Sequence, residues 1–453
     1  MSNEIKVAEE MRKVLEEKAR ELGRESGFIK REVKLDGAKF VQTLVFGWMS
    51  NPEATYAELA QTAATLGVEI SAQSIEERFS PTCAELLRKV LEETIKVVVK
   101  YEQANIPILE RFQGVYIKDS TTITLPDELK KIWKGCGGTN AELAQSALKL
   151  QVEIDIKSGE ISGFYLADGK EPDVSSGLNN AETMKLAENS LHIGDLGYWS
   201  IKVFREIEKQ NSYFLSRLKT KVLVYDNDKK ALPVVKFLEK KAVPQLDMQV
   251  NIGEDERFSC RLLALKVPAE VAAQRRRKLN EEAKEKGKTV SKARLAQADY
   301  SIFITNVPSN LLTFKQVLVL ARCRWQIELL FKLWKSYGQV DKSRSHKTYR
   351  ILSEVYTKLI IMLIQHWILI TGCWSFPNRS LPKAVKHIQK MALFIACSFA
   401  NLFSLSHCLS IVFLGFSHCL MNKRKSRPNT YQLLFDVDND IALPKPFVLP
   451  LCS

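Results

Sequence analysis

Three acidic residues in this sequence are placed to carry out chemistry together. Asp119 and Asp195 lie at or just beyond segments with β-strand character, and Glu328 lies within the predicted helix 321–335. Three carboxylates that converge without compensating cations repel one another, so such a cluster normally holds divalent metal ions. Oxygen ligands favour Mg²⁺, with Mn²⁺ as a substitute. Two such ions can activate water or a 3′-hydroxyl, which predicts cleavage and joining of phosphodiester bonds.

The segment 321–335 predicts an amphipathic helix with an unusual polar face. At 100° per residue, its polar arc of roughly 80° contains five positions. These are Ala321, Arg324, Glu328, Lys332 and Lys335. One carboxylate among cations suits a metal ligand beside phosphate-binding side chains, although an Arg–Glu pair four residues apart is also typical of an ordinary solvated helix. The functional interpretation is favoured because the two aspartates need a third acid.

The two aspartates fall in a middle region that predicts a mixed α/β sheet. The region is rich in β-forming residues and in short segments where apolar and polar residues alternate. The predicted strands are 114–125, 150–157, 160–166, 191–195 and 213–217, and the predicted helices are 182–189 and 200–209. Open α/β sheets usually place their chemistry at strand ends. We therefore expect Asp119 and Asp195 on adjacent strands of one sheet.

Two further segments are candidates for contact with DNA. In residues 55–79, a capping box at Thr55 and a second cap at Ser71 predict a helix-turn-helix with Gln73 and Arg78 facing outward. Helix pairs of this kind are also common in all-α domains that bind no DNA. The block 220–308 is predicted to be a β-rich insertion that contains the basic helix 272–288.

In the basic helix of the insertion, Arg275 and Arg276 are candidates for phosphate contact, although such a run is also typical of a solvated helix end. The composition favours nucleic acid as the partner, since the 453 residues carry a formal charge of +14 with a pI near 9.2. Nine cysteines occur singly, without CxxC pairs, which predicts a reducing cytosol. The uncharged stretch between Lys390 and Lys423 is long enough to span a bilayer. Polar residues interrupt it, so a buried helical region and no membrane partner are predicted.

Three short motifs resemble those of the bacterial insertion-sequence transposases of the DDE type. Tyr116-Ile-Lys-Asp119-Ser-Thr is similar to the first-acid motif, and Gly194-Asp195-Leu-Gly-Tyr198 is similar to the second. Arg324-Trp-Gln-Ile-Glu328, followed by Lys335, is similar to the third, which has the pattern Y-x2-R-x3-E-x6-K. The interval from Asp195 to Glu328 is 133 residues (328 − 195), which leaves room for the insertion.

The resemblance implies a ribonuclease-H-like mixed α/β sheet interrupted by the β-rich insertion. An N-terminal all-α helix-turn-helix domain and a C-terminal helical region would flank it. The predicted divisions are an N-terminal helical DNA-binding domain at 1–108, the first part of the core at 109–219, the insertion at 220–308, the catalytic helix of the core at 309–350 and a helical dimerisation region at 351–453.

The resemblance also assigns roles. Asp119, Asp195 and Glu328 would be catalytic ligands of Mg²⁺ or Mn²⁺, while the cations of helix 321–335 would bind phosphates of double-stranded transposon-end and target DNA. A homodimer would join two ends, and the protein would be cytoplasmic and associated with the bacterial nucleoid. One departure is Ala321, where the family carries a tyrosine that supports end binding. A second is the absence of Trp from the insertion, where relatives that form a hairpin intermediate use an aromatic; Phe258, Tyr300 and Phe303 remain.

Three rival interpretations remain open from the sequence. A ribonuclease-H-like nuclease or resolvase would share the metal site but cut without joining. A catalytically impaired relic or a DNA-binding regulator of transposition would bind DNA ends without turnover, and Ala321 keeps that possibility open. A protein anchored in a membrane through 359–416 would be recovered with membranes.

Overall fold

A ten-stranded mixed sheet and a body of helices make up the protein. The computed structural model describes residues 3–31, 34–99, 105–135, 145–225, 231–254, 257–285, 287–376, 378–421 and 434. The strands are β1 (Val115–Leu125), β2 (Ser146–Asp155), β3 (Ile161–Asp168), β4 (Leu191–Gly194), β5 (Tyr213–Arg217), β6 (Leu223–Tyr225), β7 (Ala231–Pro233), β8 (Gln245–Ile252), β9 (Phe258–Lys266) and β10 (Tyr300–Thr305). Their order across the sheet is β3-β2-β1-β4-β5-β10-β9-β8-β6-β7.

Strands β1, β4 and β5 are parallel, and the other neighbouring pairs are antiparallel. The predicted strands of the middle region are therefore confirmed as β1 to β5, with shifts of a few residues at their ends. The predicted helix 182–189 is wrong, because the chain there forms turns. Eight residues form a marginal helix without tertiary support. Here the Leu186 N–H donates to the Gln210 side chain at 2.9 Å instead of to a helical carbonyl.

The helices, in chain order, cover both faces of the sheet. They are α1 (Asn3–Arg12), α2 (Ala19–Glu25), α3 (Gly37–Ser50), α4 (Tyr56–Thr65), α5 (Ala72–Glu77), α6 (Pro81–Lys96), α7 (Ile201–Lys209), α8 (Val234–Lys241), α9 (Ala269–Glu285), α10 (Lys292–Gln297), α11 (Phe314–Cys323), α12 (Trp325–Leu333), α13 (Thr348–Cys373), α14 (Leu381–Cys397) and α15 (Leu402–Phe416). A π-helical turn, Lys13–Lys18, joins α1 to α2, and another, Trp334–Gly338, follows α12.

Alternating side chains divide the sheet between two hydrophobic cores. On β10, Ile302 and Ile304 pack with α7 and α8, while Phe303 points into the larger core formed with the other helices. This alternation is expected because successive residues of a strand face opposite sides. Ile117 of β1 lies in the larger core, so Asp119, two residues later, faces the same side.

Helix α13 forms the centre of the helical body. It packs against α6 and α3, and its apolar composition over 26 residues would be long enough to cross a membrane. All of its most apolar window is buried inside the protein, which identifies α13 as a core helix. The N-terminal and C-terminal helices share this core, so the regions predicted at 1–108 and 351–453 pack together. Residues 422–433 and 435–453 of the predicted C-terminal region lie outside the described part of the chain.

The predicted helix-turn-helix is formed by α4 and α5. The Glu58 N–H donates to the Thr55 side chain, and the Glu58 carboxylate accepts from the Thr55 N–H, which confirms the capping box. The Ser71 hydroxyl oxygen accepts from the Ser74 N–H at the start of α5. Each of these N-caps stabilises the start of its helix by about 1 kcal/mol.

The insertion extends the core sheet instead of forming a separate sheet. Its last strand, β10, pairs with β5, and β9, β8, β6 and β7 follow outward. Helices α9 and α10 follow one another in the chain between β9 and β10. We call this pair, with its connection (residues 269–297), the insertion arm.

Candidate active site

Strand pairing brings the first two acids to one edge of the sheet. The parallel register joins Lys118 of β1 to Gly194 of β4; Asp119 is the next residue of β1, and Asp195 directly follows the end of β4. Neighbouring parallel strands lie about 5 Å apart. Asp119 therefore lies on β1 and Asp195 just beyond the adjacent strand, so the prediction of neighbouring positions at strand ends is confirmed.

The third acid comes from a helix that is broken at its arginine. The predicted single helix 321–335 is two helices, α11 and α12, that meet at Arg324. The apolar face predicted for it is buried, with Ile327 fully covered. Because α12 packs across β1, Glu328 is brought toward the strand that carries Asp119.

The guanidinium of Arg324 lies among the three acids. Its Nη1 is 2.6 Å from Asp119 Oδ2, its Nη2 is 2.5 Å from Glu328 Oε1, and its Nε is 4.0 Å from Asp195 Oδ1. All four side chains are mostly buried, with exposed fractions between 9% and 20%. The structure therefore brings together the three acids that the sequence singled out, around one cation.

Burial raises the pKa of the Asp119 carboxyl to about 7. Arg324 opposes that rise, while the nearby charges of Asp195 and Glu328 add to it. A carboxylate in this position is thus costly to ionise without a cation close by. The site consequently favours positive charge, whether from a side chain or from a metal ion.

The chemistry of the donors suits a hard divalent cation, although their present arrangement does not enclose one. Among the described residues, no three His, Cys, Asp or Glu side chains stand together as a metal-binding group. The three acids offer only oxygen atoms, which Mg²⁺ prefers. The Arg324 guanidinium lies between these oxygens, so a metal ion would have to take its place.

The two lysines that follow Glu328, Lys332 and Lys335, differ in their contacts. Lys335 is exposed, and its Nζ donates to the Thr122 carbonyl of β1 at 2.8 Å. Burial around this amino group lowers its pKa. Lys332 is exposed and its Nζ lies 4.5 Å from the centre of the Trp325 ring. Both lysines follow Glu328 along the same helical stretch.

Ala321 lies on the same side as Arg324, as the helical arc predicted, and both residues are buried there. Ala321 lines a small pocket together with Asp195, Arg324 and Arg217. Sequence reasoning missed Arg217, the last residue of β5. The signal available was its position, because β5 is parallel to β4 and ends at the same edge as Asp195.

The candidates for DNA contact that lie away from the three acids differ in their exposure to solvent. Gln73 of α5 is exposed and donates to Glu77 at 2.9 Å, and Arg78 donates to the Ser74 carbonyl at 2.6 Å. Arg275, in contrast, is buried and donates to the carbonyls of Ala298 and Tyr300 and to the Ser301 hydroxyl.

The expectation that Arg275 contacts phosphate is therefore corrected, because its guanidinium holds α9 to the start of β10. Arg276 is only partly buried and pairs with Asp299. Of the insertion aromatics, Phe258 and Phe303 are buried in the two cores, and Tyr300 keeps some exposed surface.

The sequence matches known proteins along most of its length. The family model "Transposase DDE domain" matches residues 110–364, more than half of the chain. The transposase for insertion sequence element IS231F of Bacillus thuringiensis subsp. israelensis is 28% identical over 382 residues, which are 79% of this chain and 78% of that protein. The transposase for IS1151 of Clostridium perfringens is 28% identical over 381 residues, 78% of this chain and 77% of that protein. The chain therefore belongs to the transposase DDE-domain family and is a DDE-type DNA transposase.

Proposed function

We propose that Asp119, Asp195 and Glu328 are the catalytic acids of a transposase that cleaves the ends of its element and joins them to target DNA. The observation that supports this most directly is the convergence of the three side chains around Arg324. Acids that are far apart in the sequence are brought together here in a mostly buried place, where like charges are costly, and a metal-binding role accounts for that cost.

The strand order supports a ribonuclease-H-like core. In β3-β2-β1-β4-β5, the first three strands are antiparallel and β1, β4 and β5 are parallel, as the resemblance implied. The chain then leaves for the insertion and returns through α11 and α12 with the third acid. This topology explains why 133 residues (328 − 195) separate Asp195 from Glu328.

The three carboxylates would hold Mg²⁺, or Mn²⁺ as a substitute. When bound, such ions supply an activated water or 3′-hydroxyl and stabilise the leaving oxygen. Arg324 would have one role in the absence of the metal and another in its presence. Without metal it neutralises the acids, and once it is displaced its guanidinium, with five donors in a planar fork, is suited to a phosphate. Lys332 and Lys335 would hold the same strand of DNA further along α12.

The insertion arm is the second surface that we assign to DNA. The arm leaves the sheet between Lys266 and Tyr300, which are paired across β9 and β10. Because Phe303 of β10 pairs with Arg217, the end of β10 that carries Tyr300 lies beyond Arg217, at the edge where Asp195 also lies. The exposed cations of the arm include Arg277, Lys284, Lys288, Lys292 and Arg294.

The helix-turn-helix of α4 and α5, with Gln73 and Arg78, would contribute to binding of the terminal inverted repeat. A homodimer would hold two ends together, and the exposed apolar side chains of α14 and α15 are the surface we assign to it. Phe403 is 82% exposed and Leu414 is 71% exposed. On these grounds the protein would act in the cytoplasm, on DNA of the nucleoid.

Asp119→Asn, Asp195→Asn or Glu328→Gln should each lower the rate of Mg²⁺-dependent end cleavage by about 10³-fold or more, because several kcal/mol of transition-state stabilisation are lost. Binding of end DNA, followed by gel shift, should remain. Glu171→Gln, a carboxylate removed from a loop near the site, is the control and should cleave normally. Normal cleavage by any one of the three acid variants would show that the assignment is wrong.

Arg324→Gln should lower the free energy of unfolding by about 3 kcal/mol in metal-free buffer, since it leaves buried carboxylates without their cation. Addition of Mg²⁺ should raise the unfolding midpoint more in this variant than in the natural protein. Urea unfolding with and without the metal provides the measurement. Lys332→Gln removes an exposed charge from the same helix and should change neither value. Equal stabilisation by Mg²⁺ in both proteins would refute the displacement of Arg324.

A variant with Lys284, Lys288 and Lys292 all changed to Gln should bind end DNA more weakly and with a shallower dependence on salt. Loss of three phosphate contacts reduces the slope of log K against log[salt] by about 2 to 3. The control changes three exposed lysines elsewhere, Lys6, Lys130 and Lys131. If both triple variants show the same slope, the insertion arm does not contact DNA.

Phe403→Glu combined with Leu414→Glu should prevent self-association on end DNA, because charges would be placed in an apolar interface. Sedimentation of the DNA complex measures the stoichiometry. Val98→Glu changes an apolar residue that is 47% exposed elsewhere and serves as the control. A dimer that survives the double change would mean that the subunits meet through another surface.

A further inference from the structure

The spacing of Asp119 and Asp195 is not set by strand pairing alone. The parallel register between β1 and β4 ends at the pair Lys118 and Gly194, one residue before each acid. Asp195 begins a short turn, in which the Tyr198 N–H donates to the Asp195 carbonyl at 3.0 Å. Whatever holds that turn against β1 therefore fixes how far apart the two carboxylates lie.

One side chain, Asp173, lies against both β1 and the turn that follows Asp195. Asp173, in the loop after β3, accepts a hydrogen bond through Oδ1 from the Ser120 hydroxyl at 2.8 Å. The Ser120 N–H in turn donates to Asp119 Oδ1 at 2.8 Å. A carboxylate outside the catalytic trio is thus linked to the first catalytic acid through a single residue.

The other oxygen of Asp173 lies against the turn that follows Asp195. A Cβ atom added at Gly197 would be 2.6 Å from Asp173 Oδ2, closer than real contacts allow. Gly197 is therefore required by close approach of the carboxylate. The neighbouring Tyr198 is buried, and burial together with the charges of Asp173 and Asp119 raises the pKa of its hydroxyl, which stays protonated.

Asp173 is itself held in place from the sheet. Lys149 Nζ, on β2, lies 3.2 Å from Asp173 Oδ1 and also donates to the Glu171 carbonyl. Further along the loop, the Leu178 carbonyl accepts from the buried Lys118 Nζ at 2.6 Å. The loop is therefore attached at several points to the face of β1 and β2 that lies opposite Asp119.

We propose that Asp173 is a positioning residue of the active site, whose carboxylate sets the separation of Asp119 and Asp195 by joining Ser120 to the turn at Gly197. This inference rests on the proposed role of the two aspartates as metal ligands. Partners behind metal ligands commonly matter by 10-fold to 100-fold in affinity for the metal. Asp173 belongs to that class, since it contacts the residues beside both ligands and neither ligand itself.

The test uses Mn²⁺ as the probe and the full chain bound to end DNA. Asp173→Ala should weaken Mn²⁺ binding, measured by electron paramagnetic resonance, by about 10-fold or more. The Mg²⁺ concentration for half-maximal cleavage should rise by the same factor, while the affinity for end DNA stays unchanged. Asp173→Asn should have a smaller effect, because an amide oxygen can still accept from Ser120 but loses the charge that pairs with Lys149.

Gly197→Ala provides a second route to the same defect, since its methyl group would push the carboxylate away. Glu171→Gln, in the same loop, removes a nearby negative charge without touching Ser120 or Gly197 and should match the natural protein. Thermal unfolding identifies the variants that fold, and Ser120→Ala replaces any that does not.

The outcomes distinguish the positioning role of Asp173 from the metal site itself. If Asp119→Asn abolishes Mn²⁺ binding while Asp173→Ala and Gly197→Ala bind Mn²⁺ within twofold of the natural protein, the positioning role is overturned and the metal site stands. If Asp119→Asn binds Mn²⁺ normally, the metal site itself is wrong, and the positioning role falls with it.

Discussion

The contact of Arg324 with three carboxylates is the interaction on which the arrangement of the site depends. It joins β1 and the turn after β4 to α12, which begins on the far side of the insertion, with Arg324 lying 129 residues (324 − 195) beyond Asp195. Burial raises the pKa of the Asp119 carboxyl, and the charges of Asp195 and Glu328 raise it further, so the three acids need a cation among them. Arg324 is the counter-charge to all three, and in the proposed function it is the side chain that a metal ion would displace.

The continuous sheet gives the insertion a definite place relative to the acids. Because β10 adds to β5 in antiparallel fashion, the connection from β9 to β10 emerges at the same edge as Asp195. An insertion that formed its own sheet could have been tethered at any angle. Here its orientation follows from backbone hydrogen bonds, so the insertion arm begins and ends at the edge of the sheet where Asp195 lies.

The local features of this fold could be predicted from the sequence, and the predictions that were wrong have a common cause: they depended on contacts between residues distant in the sequence. Strands with alternating side chains and the Thr55 cap were recognisable because their signals are contained in a few neighbouring residues. The segment 182–189 has helical composition, but its backbone bonds to Gln210, which the sequence places far along the chain. Arg275 appeared solvated as part of a basic run, but carbonyls of the following strand surround it.

The same distinction applies to the candidate site. The convergence of the three acids could be predicted from their types and motifs, whereas Asp173 could not be singled out, because its proposed role comes from contacts with Ser120 and Gly197 that only the fold creates. The burial of Ala321 was missed for a related reason. A helical wheel shows which residues share a face but not what packs against that face, and here Asp195 and the end of β5 lie against Ala321 and Arg324.

Helix α13 connects the N-terminal helices to the segment after α12 through buried charges. The Arg350 guanidinium lies 4.4 Å from the Trp48 ring centre and 4.3 Å from that of Phe79, so it joins α13 to the N-terminal helices. Two turns later, Lys358 donates to the carbonyls of Gln339 and Lys342, in the segment that follows α12. Buried cations of this kind need their partners in place, because each is costly alone. The N-terminal helices and the segment that follows α12, where Lys335 contacts β1, are therefore both held in place by α13.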